Sequence, residues 1–488
     1  MTKGESKGGK LIERVASGVA WSIGEKIGSA LLQVVVSIVV ANRIMPEHMG
    51  IIAVLSVFIT LSQMVVDSGF SQTLIRKAAP TQGDYFAVFR FNIISSVALY
   101  VLLTALAPYV AHYYDWPLLS TVAPVIFLVL PLNALGVIQN TIMVREFRFA
   151  HLSTITFLST LISGIVAIAM ALMGMGIWSL VGQRIAMMAA KAMLLWWHSE
   201  WRPRRSESRG ALRSMAPYSL RLMATEIITS LYNNISQLFI GKIYSGTELG
   251  YFNQAQKLSN MPTTITQSIQ NVTFPALSRI KEDEEKFAES YRCVIMATAM
   301  ILFPIIAGLI ATAKDFYILL LKPDWHPAIP YFRIICVAGF FYPLSIIAYN
   351  ILKVKSDGAI ILRLEIIKRT IMTAILIITI PISVKAIAWG IVVANVCEML
   401  LNITASRRYT NITLWRLVRT LLPIALLTLA MYGIVMWVGI NLSEWSTASR
   451  LAIKIVAGIA VYIIGGTTFR MESFRQTIAL LKQILSKR

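Results

Sequence analysis

YYDWPLLSTVAPVIFLVLPLNALGVIQN, residues 113–140, returns in altered form as KPDWHPAIPYFRIICVAGFFYPLSIIAYN, residues 322–350. Asp115-Trp116 pairs with Asp324-Trp325, Pro131 with Pro343, and Asn140 with Asn350. Working outward, NRIMPEHMG (42–50) meets GKIYSGTELG (241–250), pairing Gly50 with Gly250, and Trp178 meets Trp389. The matches keep their order, and their offset drifts only as changed loop lengths would make it. A unit of about 200 residues is therefore expected to occur twice.

Each copy is mostly apolar. Of 488 residues 56% are hydrophobic and 14% charged, with a mean hydropathy of +0.67, whereas soluble domains are about a quarter charged. A bilayer span needs about 20 apolar residues, and the apolar runs divide into fourteen such spans. A soluble enzyme, a disordered chain and a collagen are excluded. The expected fold is an all-α polytopic membrane protein with two parallel six-helix repeats and a C-terminal helix pair.

The net charge of +21 is read as a topology signal. With the N-terminus in the cytoplasm, only Arg43, Lys242, Lys314, Lys322, Lys385 and Arg450 fall in outer connections, and the inner ones hold several times as many cations. Both termini are thus expected inside. The expected organisation is an N-lobe over 1–198, a basic cytoplasmic linker over 199–213, a C-lobe over 214–406, a hairpin of two spans over 407–470 and a cytoplasmic amphipathic tail over 471–488. The outer connections are short.

Polar side chains are costly in a bilayer and usually face another helix or water. Span two sets Ser56, Thr60, Gln63 and Asp67 on one helical face. Its repeat partner, span eight, sets Gln256, Asn260, Thr263, Gln267 and Asn271 on the same spacing, with Asn253, Lys257 and Thr264 alongside. Span one offers Lys26, Ser29 and Gln33, and span seven offers Glu226, Ser230, Asn233 and Gln237. Interhelical hydrogen bonds, each worth about 0.6–2 kcal/mol, would explain isolated members. Four or five successive turns of amides point instead to a water-filled cavity lined by spans one, two, seven and eight. Amides and hydroxyls beside aromatics suit a sugar, which presents hydroxyls on its edges and C–H on its faces, so Gln33, Ser56, Thr60, Gln63, Asn233, Gln237, Asn253, Gln256, Asn260, Thr264 and Gln267 are the candidate sugar-facing residues.

Lys26, Arg221 and Lys257 are candidates for a phosphate headgroup, Arg by a bidentate fork and Lys as a point charge. Internal pairing of Arg221 with Glu226, or of Lys26 with Glu25 or Glu226, is the structural alternative. Glu25, Asp67 and Glu226 are candidates for coupling to H+ or Na+. Lys191, Arg333 and Lys454 lie nearer span ends and are expected to snorkel. The cysteines Cys293, Cys336 and Cys397 read as core hydrophobes.

GESKGGKL (4–11) nearly spells a phosphate-binding loop, but Leu11 replaces the metal-binding hydroxyl residue. The five histidines form no zinc pattern. No catalytic residue, cofactor or metal is proposed.

GVAWSIGEKIGSALLQVVVSIVVANRIMPEHMGIIAVLSVF, followed by VVDSGFSQTLIRK (65–77), resembles the polysaccharide transporter family of the multidrug/oligosaccharidyl-lipid/polysaccharide (MOP) flippase superfamily, near Wzx-type O-antigen flippases. Arg43, Pro46, Glu47 and Gly50, then Asp67 and Gly69, carry the resemblance. It implies a bacterial inner-membrane protein that moves an undecaprenyl-pyrophosphate-linked oligosaccharide outward by alternating access through a cationic central cavity, for lipopolysaccharide or exopolysaccharide synthesis. It also implies membrane lipids and glycan polymerase and export machinery as partners, and no nucleic acid. A cation-coupled multidrug exporter, needing an unpaired carboxylate among aromatics, is one rival. An O-antigen polymerase or acyltransferase, needing a large outer loop or clustered catalytic groups, is the other.

Overall fold

The computed structural model describes residues 24–26, 28–67, 69–206, 210–280, 282–356, 358–410 and 413–468. The near-match to a phosphate-binding loop (4–11) and the expected amphipathic tail (471–488) lie outside them. The chain divides into two compact units, the first ending at Asn253 and the second beginning at Gln254.

The first unit holds α1 (Gly24–Ala41), α2 (Pro46–Asp67), α3 (Phe70–Arg76), α4 (Gln82–Tyr114), α5 (Pro117–Ile126), α6 (Val129–Arg145), α7 (Phe149–Leu172), α8 (Ile177–His198), α9 (Ala211–Ile243) and the start of α10 (Gly246–Ser259). Local chemistry sets the boundaries. Thr81 opens α4 with a capping box, its hydroxyl accepting from Asp84 N at 3.2 Å while Asp84 Oδ2 accepts from Thr81 N at 2.8 Å. Asp115, with φ 58, turns the chain from α4 to α5, and Pro117 starts α5, where a missing N–H costs nothing. Gly69, with φ 66, separates α2 from α3.

α9 packs against α2, α3 and α4. Phe70, Leu74, Val88, Ile138, Ala211 and Met215 form the buried cluster that joins it to α3, α4 and α6. At the other end of α9, Tyr114 Oη donates to Leu238 O at 3.3 Å, and Lys242 Nζ donates to Tyr113 O. The repeat shows itself here in a reciprocal contact. A Cβ on Gly50 would overlap the carbonyl oxygen of Gly246, and a Cβ on Gly250 would overlap that of Pro46. Gly50 and Gly250 are a repeat pair, and so are Pro46 and Gly246.

The second unit holds the rest of α10, α11 (Met261–Arg279), α12 (Glu284–Leu320), a 3-10 turn (Pro323–Ala328), α13 (Ile329–Lys355), α14 (Gly358–Thr379), α15 (Val384–Thr410), α16 (Leu414–Asn441) and α17 (Thr447–Thr468). Its core runs from Phe287 and Tyr291 on α12 through Leu344 and Ile351 on α13 and Ile403 on α15 to Ile424 on α16. α16 and α17, expected as an appended hairpin, pack along α12. Lys454 does not snorkel. It is buried, with Nζ 2.6 Å from Asp315 Oδ2, while Arg450 Nη2 lies 2.7 Å from Asp315 Oδ1. Cys336 is buried, Cys293 and Cys397 are half-buried, and all three are free thiols.

Ten helical segments among the described residues are long and apolar enough to cross a membrane. α8, α9, the α10–α11 pair and α14 fall short of that measure. The reason is their load of polar groups, Arg184 and Lys191 on α8, Arg221 and Glu226 on α9, and Arg363, Glu365, Lys368 and Arg369 on α14.

Candidate functional site

In the first unit the predicted polar face of α2 meets charged groups of its neighbours. Ser56 Oγ donates to Ile52 O at 2.6 Å and accepts from Arg184 Nη2 at 3.2 Å. Thr60 Oγ1 donates to Ser56 O at 2.8 Å. Arg184 and Lys191 stand seven residues apart on α8, hence on one face. Asp67 closes α2, with Oδ1 sealed from solvent and without a hydrogen-bond partner. On α1, Glu25 Oε1 accepts from Ser29 Oγ at 2.9 Å, and on α9, Glu226 Oε1 accepts from Gln72 Nε2 at 3.4 Å.

These elements enclose a cavity of about 390 Å³, bounded by the α2–α3 break, α6, α8 and α9. Asp67, Glu226 and Lys191 line it, with Asn133 and Asn140 from α6 and Ser71 from α3. None of the described lining side chains is aromatic. Lys191, expected to snorkel, belongs to this wall.

The other candidates of this unit are spread more widely. Gln63 is half-buried. Lys26 is half-buried and Arg221 exposed, and neither makes an ion pair with a described residue. Gln33 and Asn233 are exposed, Gln237 is buried and Asn253 is half-buried.

In the second unit the amide row is interrupted. α10 ends at Ser259 and α11 begins at Met261, with Asn260 between them and Pro262 in the first turn of α11. Lys257, Asn260 and Gln267 are exposed, Gln256, Thr263 and Thr264 are half-buried, and Gln254 and Thr266 on the other side are buried. The side chain of Asn271 lies outside the described residues. Beyond the row, Gln270 Nε2 donates to Asn350 Oδ1 at 2.9 Å.

This unit also carries a charged cluster that the sequence reading passed over. Lys368 Nζ lies 3.0 Å from Glu365 Oε1 and 3.5 Å from Glu398 Oε1, and 4.4 Å from the centroid of the Tyr349 ring. Arg369 Nη2 lies 3.5 Å from Glu365 Oε2. The run RLEIIKR at 363–369 inside an apolar stretch was the available signal. Among the described residues no group of His, Cys, Asp and Glu is placed to hold a metal ion.

The profile of polysaccharide biosynthesis proteins matches residues 39–330. The chain belongs to that family. The resemblance read from the first two spans is thus borne out. The teichuronic acid biosynthesis protein TuaB of Bacillus subtilis is 21% identical over 471 residues, 93% of this chain and 95% of TuaB. The succinoglycan biosynthesis transport protein ExoT of Rhizobium meliloti is 22% identical over 390 residues, 79% of this chain and 76% of ExoT. Among solved structures, the lipid II flippase MurJ in an inward closed conformation superposes with a TM-score of 0.72 at 15% identity, over 92% of this chain and 98% of that one. At that identity the likeness is one of fold.

Proposed function

We propose that the protein is a transporter and not an enzyme, a flippase that carries an undecaprenyl-pyrophosphate-linked oligosaccharide across the bacterial inner membrane for lipopolysaccharide or exopolysaccharide assembly. The observation that carries this reading is the 390 Å³ polar cavity set among membrane-length helices of the first unit. Groups of this polarity at bilayer depth are costly unless they meet water or a polar cargo. The relatives named for teichuronic acid synthesis and succinoglycan transport, and the fold shared with a lipid II flippase, support it.

Counting α2 with α3, α5 with α6 and α10 with α11 as one interrupted span each, the helices make fourteen crossings, with both termini in the cytoplasm. Lobes over 1–198 and 214–406 exchange inward and outward packings of similar energy. Lys26, Arg221 and Lys257 hold the pyrophosphate. The sugar meets Gln33, Ser56, Thr60, Gln63, Asn233, Gln237, Asn253, Gln256, Asn260, Thr264 and Gln267. Glu25, Asp67 and Glu226 couple the cycle to H+ or Na+. Glycan polymerase and export machinery take over the product.

Deleting the gene tests the reading. The expected outcome is accumulation of lipid-linked repeat units on the cytoplasmic face, detected in lipid extracts and inaccessible to glycosidase from outside. A mutant with normal surface glycan, or with single repeat units displayed outside, would contradict it.

A further inference from the structure

The wall of the cavity of the first unit is only partly satisfied from within: Gln72 Nε2 donates to Glu226 Oε1 at 3.4 Å. Asp67 Oδ1 and Ser71 Oγ are sealed from solvent and find no partner among the described residues. The side chains of Asn133 and Asn140 make no hydrogen bond, and Lys191 makes no ion pair, with any described residue. Lys191 and Asp67 line the same cavity, and Asn133, Asn140 and Lys191 are half-buried in its wall. Sealed polar atoms are ordinarily paired, so Asp67 Oδ1 and Ser71 Oγ beside these open donors and acceptors are shaped for something that completes them.

The donor set narrows what that is. A carboxylate accepts, an ammonium donates, and an amide does both. Adjacent hydroxyls of a sugar ring do both as well, and can bridge Asp67 to Lys191 while the amides of Asn133 and Asn140 meet the next positions. A tightly held multivalent metal ion is disfavoured by the ammonium already present. An anionic group is disfavoured by Asp67 and Glu226, and a planar cation finds no aromatic face. The volume of about 390 Å³ falls in the range of roughly 300–1,000 Å³ usual for small-molecule sites. Ile75, Leu132 and Val137 supply apolar wall for the C–H faces of a ring.

Duplication supplies an internal control. Asn140 faces the open cavity, whereas its repeat counterpart Asn350 is 1% exposed and accepts a hydrogen bond from Gln270 at 2.9 Å. The same position of the repeat is therefore left open in one unit and closed by an amide in the other.

We propose that the cavity of the first unit is a saccharide subsite, which seats a hydroxyl-rich sugar ring of the cargo between Asp67 and Lys191. The proposal rests on the flippase reading and adds a site off the amide row of α10 and α11.

The test uses the full-length protein in nanodiscs. Its probe is the free oligosaccharide released by mild acid from the lipid-linked unit of the deletion strain, so that neither pyrophosphate nor lipid contributes. Binding is measured by calorimetry for the wild type, Asn140→Leu and Asn133→Leu, with melting temperature as the check on folding. The expected result is at least a ~5-fold rise in Kd for each folded variant, with binding of sugar-free undecaprenyl pyrophosphate unchanged. Should either variant not fold, Asn140→Ala and Asn133→Ala take its place. Wild-type affinity for the oligosaccharide in the variants would overturn the subsite, and so would a wild type that does not bind it. Transport of the intact lipid-linked unit, assayed separately, shows whether the flippase reading survives that outcome.

Discussion

At the scale of single residues, Asp315 shows how far burial departs from a position near a helix end. Its carboxylate is shared by Arg450 and Lys454 in apolar surroundings, and Lys454 also donates to Ala311 O at 3.2 Å. Removing one partner of a buried pair typically costs about 3–5 kcal/mol, whereas replacing a pair by apolar groups is often neutral. Asp315→Asn is therefore expected to lower the thermal midpoint of the detergent-solubilised protein sharply. Asp315→Leu combined with Lys454→Met and Arg450→Leu, which removes all three charges, is expected to restore much of it. An unchanged midpoint in Asp315→Asn would mean that the pair contributes nothing to the docking of α17. The sequence could not reveal this arrangement, because the partner of Lys454 sits on a helix remote in the chain. The place of Lys191 in a cavity wall was hidden too, because the rest of that wall comes from α2, α3, α6 and α9. Ser56, Thr60 and Asp67 were legible because helical periodicity alone puts them on one face.

At the scale of elements, the meeting of α2 and α10 is the sharpest constraint. Gly50 and Gly250 each lie against a backbone carbonyl of the other helix, which no side chain can move aside. Overpacking a tight contact costs typically about 1–3 kcal/mol. Gly50→Ala and Gly250→Ala are each expected to lower the melting temperature. Gly308→Ala and Gly433→Ala, where a Cβ meets nothing within 4 Å, are expected to leave it unchanged or raise it through better helix propensity. Equal behaviour of the two sets would contradict the crossing. The repeat match had paired Gly50 with Gly250, yet a pairing in sequence does not say that the pair touch. The end of span two at Asp67 was legible, but the short helix α3 beyond it and the interruption at Asn260 were missed, although Pro262 carried the second signal. An apolar run is read by its length, and a break within it changes the length very little.

At the scale of the whole molecule, composition and periodicity were enough for an all-helical membrane protein, and the resemblance carried by Arg43, Pro46, Glu47, Gly50, Asp67 and Gly69 was enough for its family. The cavity was less legible. Most of its described wall comes from α3, α6 and α8, where Asn133 and Asn140 share a face but Ser71 and Lys191 stand apart from them on other helices. The central claim is transport of a lipid-linked glycan through polar surface inside the membrane. Purified protein in liposomes carrying the lipid-linked oligosaccharide of the deletion strain tests it most directly, with glycan exposure to an impermeant glycosidase as the readout. The account predicts that wild type brings the inner-leaflet pool to the enzyme, and that Asn260→Leu, Gln267→Leu and Lys257→Leu slow this by roughly tenfold, about 1.4 kcal/mol on the barrier. A wild type no faster than protein-free liposomes would contradict it.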